Sequence, residues 1–506
     1  MPTHLPTAEQ EAIFSAALTS QISIMINAFA GCGKSSTLEM LSGMLPQTSA
    51  CALAFNVKIK KELERRLPSW FAVKTFNGLG HAAWGRAIGK RCEVDDRKIS
   101  KLLTSMLKTS KLPLSQDSFT SILNLVKKAR HAGLVPKPFP QPGLIPDTLE
   151  SWDSLAEIEL VEQEYKLAKA LLIESIKQGH NGLIDYDDQI YLSALFGGTF
   201  PRFSLVLVDE AQDLSPLNHI QVSRVAGPDG RLMVVGDPLQ AIYAFRGADH
   251  TSMDSLKALR KEWITLPLTM TFRCPKAIVD RQQTHAKGFR AALAAPQGEV
   301  LPWAFSSENK DWKWSDVEEV AGEAQIAVLC RNNGPLISLA FKLIRQQVGC
   351  SVLGRDIGKG LVALAKKILK PETPLEACFP LINDWMERER ALAEANDKPE
   401  KVARITDQGE SLLAVLEGAR LETAKDLFSS IESLFNKEGG VTLSSIHRSK
   451  GLEWPVVLHL DPWRIPSRWA KRDPTQMQQE LNLIYVCETR AKRALILASL
   501  KDFQEN

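Results

Sequence analysis

A glycine-rich segment near the N-terminus has the residue types that bind phosphate groups. It follows the apolar run 22–26 and precedes the helical pattern 37–41, which predicts a strand, a turn and a helix. Backbone N–H groups of such a turn can bind phosphate oxygens, Lys34 can reach the β and γ phosphates, and the Ser35 hydroxyl can bind Mg²⁺. The alternative is an ordinary strand-to-helix connection. The predicted phosphate-binding turn consists of Ala28, Phe29, Ala30, Gly31, Cys32, Gly33, Lys34, Ser35 and Ser36.

Two carboxylates follow a second apolar segment. Residues 205–208 are four apolar residues in succession, which is typical of a strand buried on both faces of a parallel sheet. Asp209 and Glu210 come next, at the edge where open α/β sheets bind ligands. Asp209 suits Mg²⁺, and Glu210 suits a general base that orients an attacking water. The alternative is an acidic strand end that caps the next helix, and the phosphate-binding turn argues against it.

The composition of the 506-residue chain is that of a globular protein with several domains. Its formal net charge of +3 neither requires nor excludes a nucleic-acid partner. The eight cysteines are too scattered for a zinc ribbon or an iron–sulfur cluster, and Cys32 inside the turn favours a reducing compartment. The N-terminus lacks the apolar core of a signal peptide, and no apolar run is long enough to span a bilayer. We therefore expect no membrane association.

Apolar segments alternate with helical patterns in two groups, which predicts two doubly wound α/β domains. The predicted parallel strands are residues 21–27, 50–55, 71–76, 203–208 and 231–236, then 325–330, 350–354, 440–445, 455–460 and 494–499. Residues 92–180 lack strand signals and repeat apolar pairs at helical spacing. We interpret them, and residues 372–436, as helical insertions.

Further segments, taken in order, resemble the motifs of superfamily 1 DNA helicases of the UvrD/Rep/PcrA type. Those before the carboxylate pair are 5–10 (the Q motif), 54–58 (motif Ia), 74–79 (motif Ib) and 184–188, which resembles the return to the first motor domain. Those after it are 235–248 (motif III), 268–273 (motif IV), 326–333 (the first strand of the second core), 441–454 (motif V) and 482–492 (motif VI). The residues around Phe29 and in motif Ia are most similar to those of the F-box DNA helicase branch and its phage relatives.

The resemblance implies two RecA-like doubly wound parallel-sheet motor domains with helical insertions. The expected limits are 1–91 with 181–270 for the first motor domain, 92–180 for its helical insertion, 271–371 with 437–506 for the second motor domain, and 372–436 for a reduced helical insertion. The second insertion is expected to be small because the segment between Arg273 and Gly439 is shorter than in UvrD-type enzymes.

The resemblance also implies roles for individual residues. Gln10 would read the adenine edge of ATP, Phe272 would stack on the base, and Glu453 would contact the ribose. The residues implied for catalysis are Lys34, Asp209, Glu210, Gln240, Arg273 and Arg490, with Ser35 and Asp209 holding Mg²⁺. The residues implied for DNA binding are Phe55, Lys58, Thr75, Phe76, Tyr243, Phe245, Arg246, Thr442 and His447. The alternatives are that one or two rings are core residues, that His447 is a structural donor, and that the two arginines form surface salt bridges.

The implied activity is ATP-dependent 3′ to 5′ translocation on single-stranded DNA with unwinding of duplex, using ATP and Mg²⁺. The alternatives are a translocase that strips proteins from single-stranded DNA with little unwinding, an RNA-directed helicase, and a nucleic-acid-binding scaffold with a vestigial ATPase. The expected partners are single-stranded DNA and 3′-tailed duplex DNA, the motor is expected to be monomeric, and a loading protein is left open. We expect a cytoplasmic location in a bacterial or phage-infected cell, or a nuclear one if the source is eukaryotic.

Overall fold

The computed structural model describes residues 5–110, 116–156, 161–243, 251–301, 313–395, 399–436, 440–467, 470 and 474–503. The chain divides into two compact units, which are described separately. The first contains Met1–Ala28 and Gly33–Leu268, and the second contains Phe29–Cys32 and Thr269–Asn506. None of the helices in the described ranges combines the length and the apolar character needed to cross a membrane.

The first unit alternates strands and helices. Its strands are β1 Ser23–Ala28, β2 Ala50–Ala54, β3 Phe71–Thr75, β4 Glu93–Val94, β5 Leu183–Ile184, β6 Leu205–Val208, β7 Arg231–Gly236 and β8 Trp263–Leu268. Its helices are α1 Ala8–Thr19, α2 Lys34–Met44, α3 Val57–Arg66, α4 Phe76–Ile88, α5 Lys98–Ser110, α6 Gln116–His131, α7 Leu149–Leu155, α8 Glu162–His180, α9 Tyr186–Leu195, α10 Pro216–Ala226 and α11 Ser252–Lys257.

The main sheet of the first unit is parallel, with the strand order β3-β2-β6-β7-β1-β8. Strands β2 and β6 are buried along their whole length, as expected where helices cover both faces of a sheet. The register places Ile26 beside Val235, and Met233 beside Leu207. Because the strands are parallel, the turn after β1 and the carboxylates after β6 emerge at the same edge of the sheet.

Helices α5 to α8 form the segment between the strands β4 and β5. They pack with α4 and α9 around their own apolar core, in which Trp84, Trp152 and Tyr191 are the largest side chains. The two short strands pair in parallel, and β4 falls within residues 92–180, where we expected no strand. A strand of two residues has no periodic pattern, so the sequence gives no signal for it.

The second unit has the same alternation. Its strands are β9 Met270–Thr271, β10 Arg290–Ala291, β11 Glu299–Leu301, β12 Ile326–Cys330, β13 Cys350–Val352, β14 Val441–Ser445, β15 Trp454–Leu460 and β16 Ala491–Ala498. Its helices are α12 Lys276–Gln282, α13 Trp314–Ala321, α14 Asn333–Arg345, α15 Arg355–Ile368, α16 Leu375–Ala395, α17 Pro399–Gly418, α18 Ala424–Asn436, α19 Ile446–Ser449 and α20 Pro474–Glu488.

The main sheet of the second unit is also parallel, with the order β11-β16-β15-β12-β14-β13. Its core combines strand residues such as Val328 and Leu458 with helix residues such as Phe341 and Phe428. The predicted fold class is therefore confirmed: both units are α/β with parallel sheets, and each predicted strand corresponds to an observed one. Six observed strands were not predicted: the two-residue strands β4, β5, β9 and β10, and the longer strands β8 and β11. The limits of the motor domains and insertions stay a prediction.

Candidate nucleotide site and candidate DNA surface

The phosphate-binding turn joins β1 to α2 through two glycines in the left-handed conformation. Gly31 has φ +71° and Gly33 has φ +76°, where a side chain would be strained. Gly33 caps α2, which begins at Lys34. The first N–H groups of the helix have no carbonyl partner within it and can bind an anion. The Cys32 N–H donates to the Phe29 carbonyl (3.3 Å), which closes the turn.

Four residues of the turn, Phe29–Cys32, group with the second unit. Within that unit, the Ala30 N–H donates to Tyr485 Oη (2.7 Å) and the Phe272 N–H donates to the Gly31 carbonyl (2.9 Å). These bonds place Phe272 beside the turn. Phe272 is 58% exposed, which leaves a face of its ring open for the stacking that we predicted.

Lys34, Asp209 and Glu210 form a charge cluster at the ends of β1 and β6. Lys34 Nζ donates to Glu210 Oε1 (3.1 Å), and the Glu210 N–H donates to Asp209 Oδ1 (2.9 Å). Burial raises the pKa of Asp209 to about 7, with a further upward contribution from Glu210 and an opposing one from Lys34. Burial lowers the pKa of Lys34, but Glu210, Asp209 and Asp237 outweigh it and the net shift is upward. Lys34 is therefore held in its charged form.

A chain of hydrogen bonds connects Glu210 to Gln240 through Gln212 and Asp237. Gln212 Nε2 donates to Glu210 Oε2 (2.5 Å), and the Asp237 N–H donates to Gln212 Oε1 (2.9 Å). Gln240 Nε2 donates to Asp237 Oδ2 (2.6 Å). Glu210 has φ +51°, which is uncommon for a residue with a side chain, so these bonds hold its carboxylate on a strained backbone. Sequence reasoning gave no role to Gln212 or Asp237.

Gln10 lies in the first turn of α1, where both ends of its side chain have partners. The Thr7 N–H donates to Gln10 Oε1 (2.9 Å), and the Gln10 N–H donates to Thr7 Oγ1 (3.2 Å), which is a capping box. Gln10 Nε2 also donates to Thr37 Oγ1 (2.9 Å) on α2. Ser35 and Ser36 lie in the first turn of α2, half-buried and exposed respectively. The bond to Thr37 connects Gln10 on α1 to the helix that carries Ser35 and Ser36, and the contacts of these residues with a nucleotide stay predictions.

Ion pairs and buried hydrogen bonds fix the charged site residues of the second unit. Arg273 Nε donates to Glu453 Oε2 (2.5 Å), and Lys492 Nζ donates to Glu453 Oε1 (2.8 Å). Burial raises the pKa of Glu453, but Lys492 and Arg273 together bring it below its usual value. Arg490 is 1% exposed; its Nε donates to a carbonyl one turn earlier in the chain (2.8 Å) and its Nη1 to the Leu452 carbonyl (3.2 Å). Arg490 is therefore not a surface cation.

The rings predicted to bind DNA have different environments. Phe76 begins α4 and is 2% exposed within the apolar core of the first unit. A ring without an open face cannot stack on a base, so the prediction for Phe76 is wrong. Phe55 packs partly against the same core, and Tyr243 is half-buried. Phe245 and Arg246 lie outside the described residues.

The polar residues predicted to contact DNA that lie within the described ranges are at least partly accessible. Lys58 is exposed on α3. Thr75 ends β3, and its Oγ1 accepts from the Gly78 N–H (3.1 Å), which caps α4. Thr442 on β14 and His447 on α19 are half-buried. Their contacts with DNA stay predictions.

Comparison with known protein families shows which family the chain matches. Residues 7–260 match the UvrD/REP helicase N-terminal domain, and residues 385–502 match the UvrD-like helicase C-terminal domain. The chain belongs to the UvrD/REP helicase family. The resemblance inferred from the motifs is therefore confirmed. The first match contains the hydrogen-bond chain from Glu210 to Gln240, and the second contains Arg490.

Individual members of the UvrD/REP family are similar over most of the chain. F-box DNA helicase protein 1 of Schizosaccharomyces pombe is 24% identical, over 97% of this chain and 57% of the relative. F-box DNA helicase 1 of Gallus gallus is 24% identical, over 97% of this chain and 49% of the relative. The ATP-dependent DNA helicase srs2 of Schizosaccharomyces pombe is 22% identical, over 88% and 65%. The chain spans about half the length of the two F-box relatives.

UvrD-like helicases use ATP, generally with Mg²⁺. In the part of the chain that the structure describes, no group of three or more His, Cys, Asp or Glu side chains could hold a metal. Mg²⁺ in nucleotide sites is usually bound by one or two protein oxygens together with substrate phosphates. The hydroxyl of Ser35 and the carboxylate of Asp209 are oxygen ligands of this type. The raised pKa of Asp209 also indicates a carboxylate that a nearby cation would stabilise. The donor set therefore fits Mg²⁺.

Proposed function

We propose that this chain is an ATP-dependent DNA helicase that translocates 3′ to 5′ on single-stranded DNA and unwinds duplex. The observation that carries the proposal is the charge cluster of Lys34, Asp209 and Glu210, joined by hydrogen bonds to Gln240. It lies at the ends of parallel strands beside a helix N-terminus, which is where nucleotide phosphates bind. The relatives' names, which include DNA helicases, support DNA as the substrate.

In the proposed reaction, the phosphate-binding turn and Lys34 bind the β and γ phosphates of ATP. Ser35 and Asp209 hold Mg²⁺, which supplies positive charge to the phosphates when it is bound. Lys34 pairs with Glu210 in the structure, so a phosphate that attracts the ammonium group would release the carboxylate. Glu210 is then available to orient the attacking water. Gln240 senses the γ phosphate, and its bond to Asp237 connects it to the same network.

Two arginines are proposed as further catalytic residues. Arg273 and Arg490 neutralise charge on the transferring phosphoryl group, as arginine fingers do. In the structure the Arg490 guanidinium donates to two main-chain carbonyls, so the proposed role requires it to reach the phosphate from this buried position. For the nucleoside, we propose that Phe272 stacks on the base, Gln10 reads its edge and Glu453 contacts the ribose. The domain limits given above are proposed with these roles.

The proposed DNA contacts are accessible residues. Single-stranded nucleic acid is usually bound by stacking rings and phosphate donors rather than by base-edge readout. Tyr243 and Phe55 are the proposed rings among the described residues. The proposed phosphate and coupling contacts are Lys58, Thr75, Thr442 and His447. The proposed partners are single-stranded DNA and 3′-tailed duplex, bound by a monomeric motor.

Strand displacement on 3′-tailed, 5′-tailed and blunt duplexes tests the proposal. With ATP and Mg²⁺, the chain should displace the strand of the 3′-tailed duplex only, and Lys34→Ala should displace none. Displacement of the 5′-tailed duplex alone would refute the polarity. DNA-stimulated hydrolysis without displacement would favour the protein-stripping alternative, and a preference for RNA-tailed duplex would favour the RNA alternative. No hydrolysis with any nucleic acid would indicate the scaffold.

A further inference from the structure

We propose that Glu488 is a positioning residue for the proposed ATP hydrolysis, because its ion pair with Arg281 fixes the two proposed catalytic arginines relative to each other. Those arginines are Arg273 and Arg490. The inference rests on the proposed function and deepens it, since it adds residues that act on ATP only through the arginines. Glu488 and Arg281 belong to the second unit, as do both arginines. Sequence reasoning gave neither of them a role.

The carboxylate of Glu488 is buried and has donors on both of its oxygens. Glu488 is 1% exposed and follows the apolar run 483–487 at the end of α20. Arg281 Nε donates to Glu488 Oε2 (2.8 Å) and Arg281 Nη2 donates to Glu488 Oε1 (3.1 Å), which is a bidentate pair. The Gln282 amide also donates to Glu488 Oε2. Two adjacent residues of α12 therefore bind one carboxylate of α20.

This ion pair lies close in sequence to both proposed catalytic arginines. Arg490 comes two residues after the carboxylate, and α12, which carries Arg281, begins three residues after Arg273. Cys274 Sγ donates to the Thr489 carbonyl (3.6 Å), so the residue after Arg273 contacts the residue before Arg490. A shift of α12 relative to the end of α20 would therefore move one arginine relative to the other.

The same two arginines are also connected through residues 452–454. Arg273 Nε donates to Glu453 Oε2 (2.5 Å), and Arg490 Nη1 donates to the Leu452 carbonyl (3.2 Å). The Trp454 N–H donates to the Arg490 carbonyl (3.0 Å). The ion pair between α12 and α20 is thus a second connection between segments that already meet at residues 452–454. Its loss would leave the first connection in place but would let α12 shift against α20.

A buried ion pair of this kind contributes more to geometry than to stability. Apolar residues of similar volume often replace such a pair without loss of stability, because the charges no longer have to be removed from water. Burial raises the pKa of Glu488, but His459 and Arg281 outweigh that effect and the net shift is downward. His459 Nδ1 lies 3.7 Å from Glu488 Oε1. The charged carboxylate and the planar guanidinium together allow one relative orientation of the two helices, which an apolar contact does not specify.

DNA-stimulated ATPase of an apolar double variant, Gln282→Leu with Glu488→Leu, tests the inference. The variant removes the buried carboxylate together with the buried amide that binds it, and the Arg281 side chain, which is 39% exposed, can turn to solvent. Its unfolding temperature should therefore stay close to that of wild type. Because a displacement of about 1 Å can cost on the order of 100-fold in rate, kcat should fall roughly 10- to 100-fold. The KM for ATP should stay within about threefold, since the arginines act on the transferring phosphoryl group.

Two further variants separate positioning from a general effect on the fold. Glu480→Leu is the matched control, because Glu480 is also buried on α20 and binds a bidentate arginine, Arg331 (2.9 and 3.0 Å). It lies ten residues before Arg490, so its loss should lower the unfolding temperature but leave kcat near wild type. Glu488→Gln keeps the volume and one hydrogen bond to Arg281 without the ion pair, so kcat should fall by an intermediate factor of roughly 3- to 10-fold.

A second readout follows the arginines without turnover. ADP with aluminium fluoride mimics the transferring phosphoryl group, so its affinity should weaken in the double variant by about the factor lost in kcat. The affinity for a non-hydrolysable ATP analogue should change little. Equal weakening of both ligands would show that Glu488 supports the nucleotide site in general, and the inference would be wrong.

The outcomes separate this inference from the function on which it rests. If wild type hydrolyses ATP and the double variant has the same kcat, the inference is wrong and the proposed function stands. The inference is also wrong if kcat of Glu480→Leu falls as far as kcat of the double variant. If the double variant does not fold, Glu488→Gln decides, and a wild-type kcat in that protein overturns the inference. If wild type hydrolyses no ATP, the proposed function fails and the inference fails with it.

Discussion

Replacement of Gln212 by leucine should slow hydrolysis while leaving the affinity for ATP nearly unchanged. Leucine has a similar volume but no amide, so the variant loses the donor to Glu210 Oε2 and the acceptor for the Asp237 N–H. Gln212 is buried, and water would not replace these bonds easily. Glu210 would keep its bond from Lys34 but would lose the bond from the Gln212 amide.

The expected size of the effect follows from the two bonds. A hydrogen bond to a charged group contributes about 1.5–3 kcal/mol. If the bond to Glu210 serves to orient its carboxylate in the transition state, its loss should lower kcat by roughly 10- to 150-fold. The buried Asp237 N–H that loses its acceptor should cost a further ~1–3 kcal/mol of folding stability, which is separate from catalysis.

A matched variant separates these two effects. Gln221 is also buried in the first unit; its Nε2 donates to Ser193 Oγ (3.1 Å), and its Oε1 accepts from Asn218 Nδ2 (3.3 Å). Gln221→Leu should lower the unfolding temperature to a similar extent but leave kcat near wild type. DNA-stimulated ATPase and thermal unfolding would be measured on both variants. If kcat of Gln212→Leu falls no further than kcat of Gln221→Leu, the reasoning about orientation is refuted.

Three further variants test the site and its support. Glu210→Gln should bind ATP and stall, and turnover within a few-fold of wild type would remove Glu210 as the base. Arg490→Lys keeps the charge but loses the planar fork, so ATP binding should survive while hydrolysis falls on the order of a thousandfold; near-normal hydrolysis would exclude an arginine finger. Burial raises the pKa of Asp187, but His131 and Arg130 outweigh it and hold the pKa at about 2. Since this folded-state pKa is depressed, the carboxylate stabilises the fold above its unfolded pKa near 4 and loses that effect as pH falls towards 2. Of roughly 2 kcal/mol in total, about 1 kcal/mol should be lost between pH 7 and pH 3. Urea denaturation of Asp187→Asn should lack this loss, and an unchanged pH dependence would contradict the assignment.

The strands were predictable where burial on both faces leaves a continuous apolar run. β6 and β12 are examples, since every residue in them is buried. β8 was missed for the opposite reason: it is an edge strand that pairs only with β1, is half-exposed along most of its length, and contains Pro267. Proline is tolerated there because an edge strand has one unpaired side. A local sequence pattern does not show whether a strand lies at the edge or in the centre of a sheet, and for this reason β8 was not predicted.

The site was predictable where a short motif carries the chemistry, as in the turn before Lys34 and the pair Asp209 and Glu210. Site residues were not predictable where their role depends on contacts between neighbouring strands of the sheet. Gln212 reaches Asp237 because β6 and β7 are neighbours, and no spacing in the sequence reports that contact. Phe76 is the converse case. It has a residue type that suits stacking, but helix α4 turns its ring into the core.

The charges of the cluster determine how it can bind an anion. Asp209, Glu210 and Asp237 supply three carboxylates around the one ammonium group of Lys34, and burial raises the pKa of both Asp209 and Asp237. A polyphosphate would be repelled by that excess of negative charge if it arrived alone. The helix N-terminus, with a partial positive charge of about one half, offsets part of the repulsion. A cation bound with the phosphates would balance it, and it would favour the ionised form of Asp209 at the same time. Burial raises the pKa of Asp209, so the carboxylate is ionised more readily when a cation is bound. We therefore expect the cation and the nucleotide each to bind more tightly in the presence of the other.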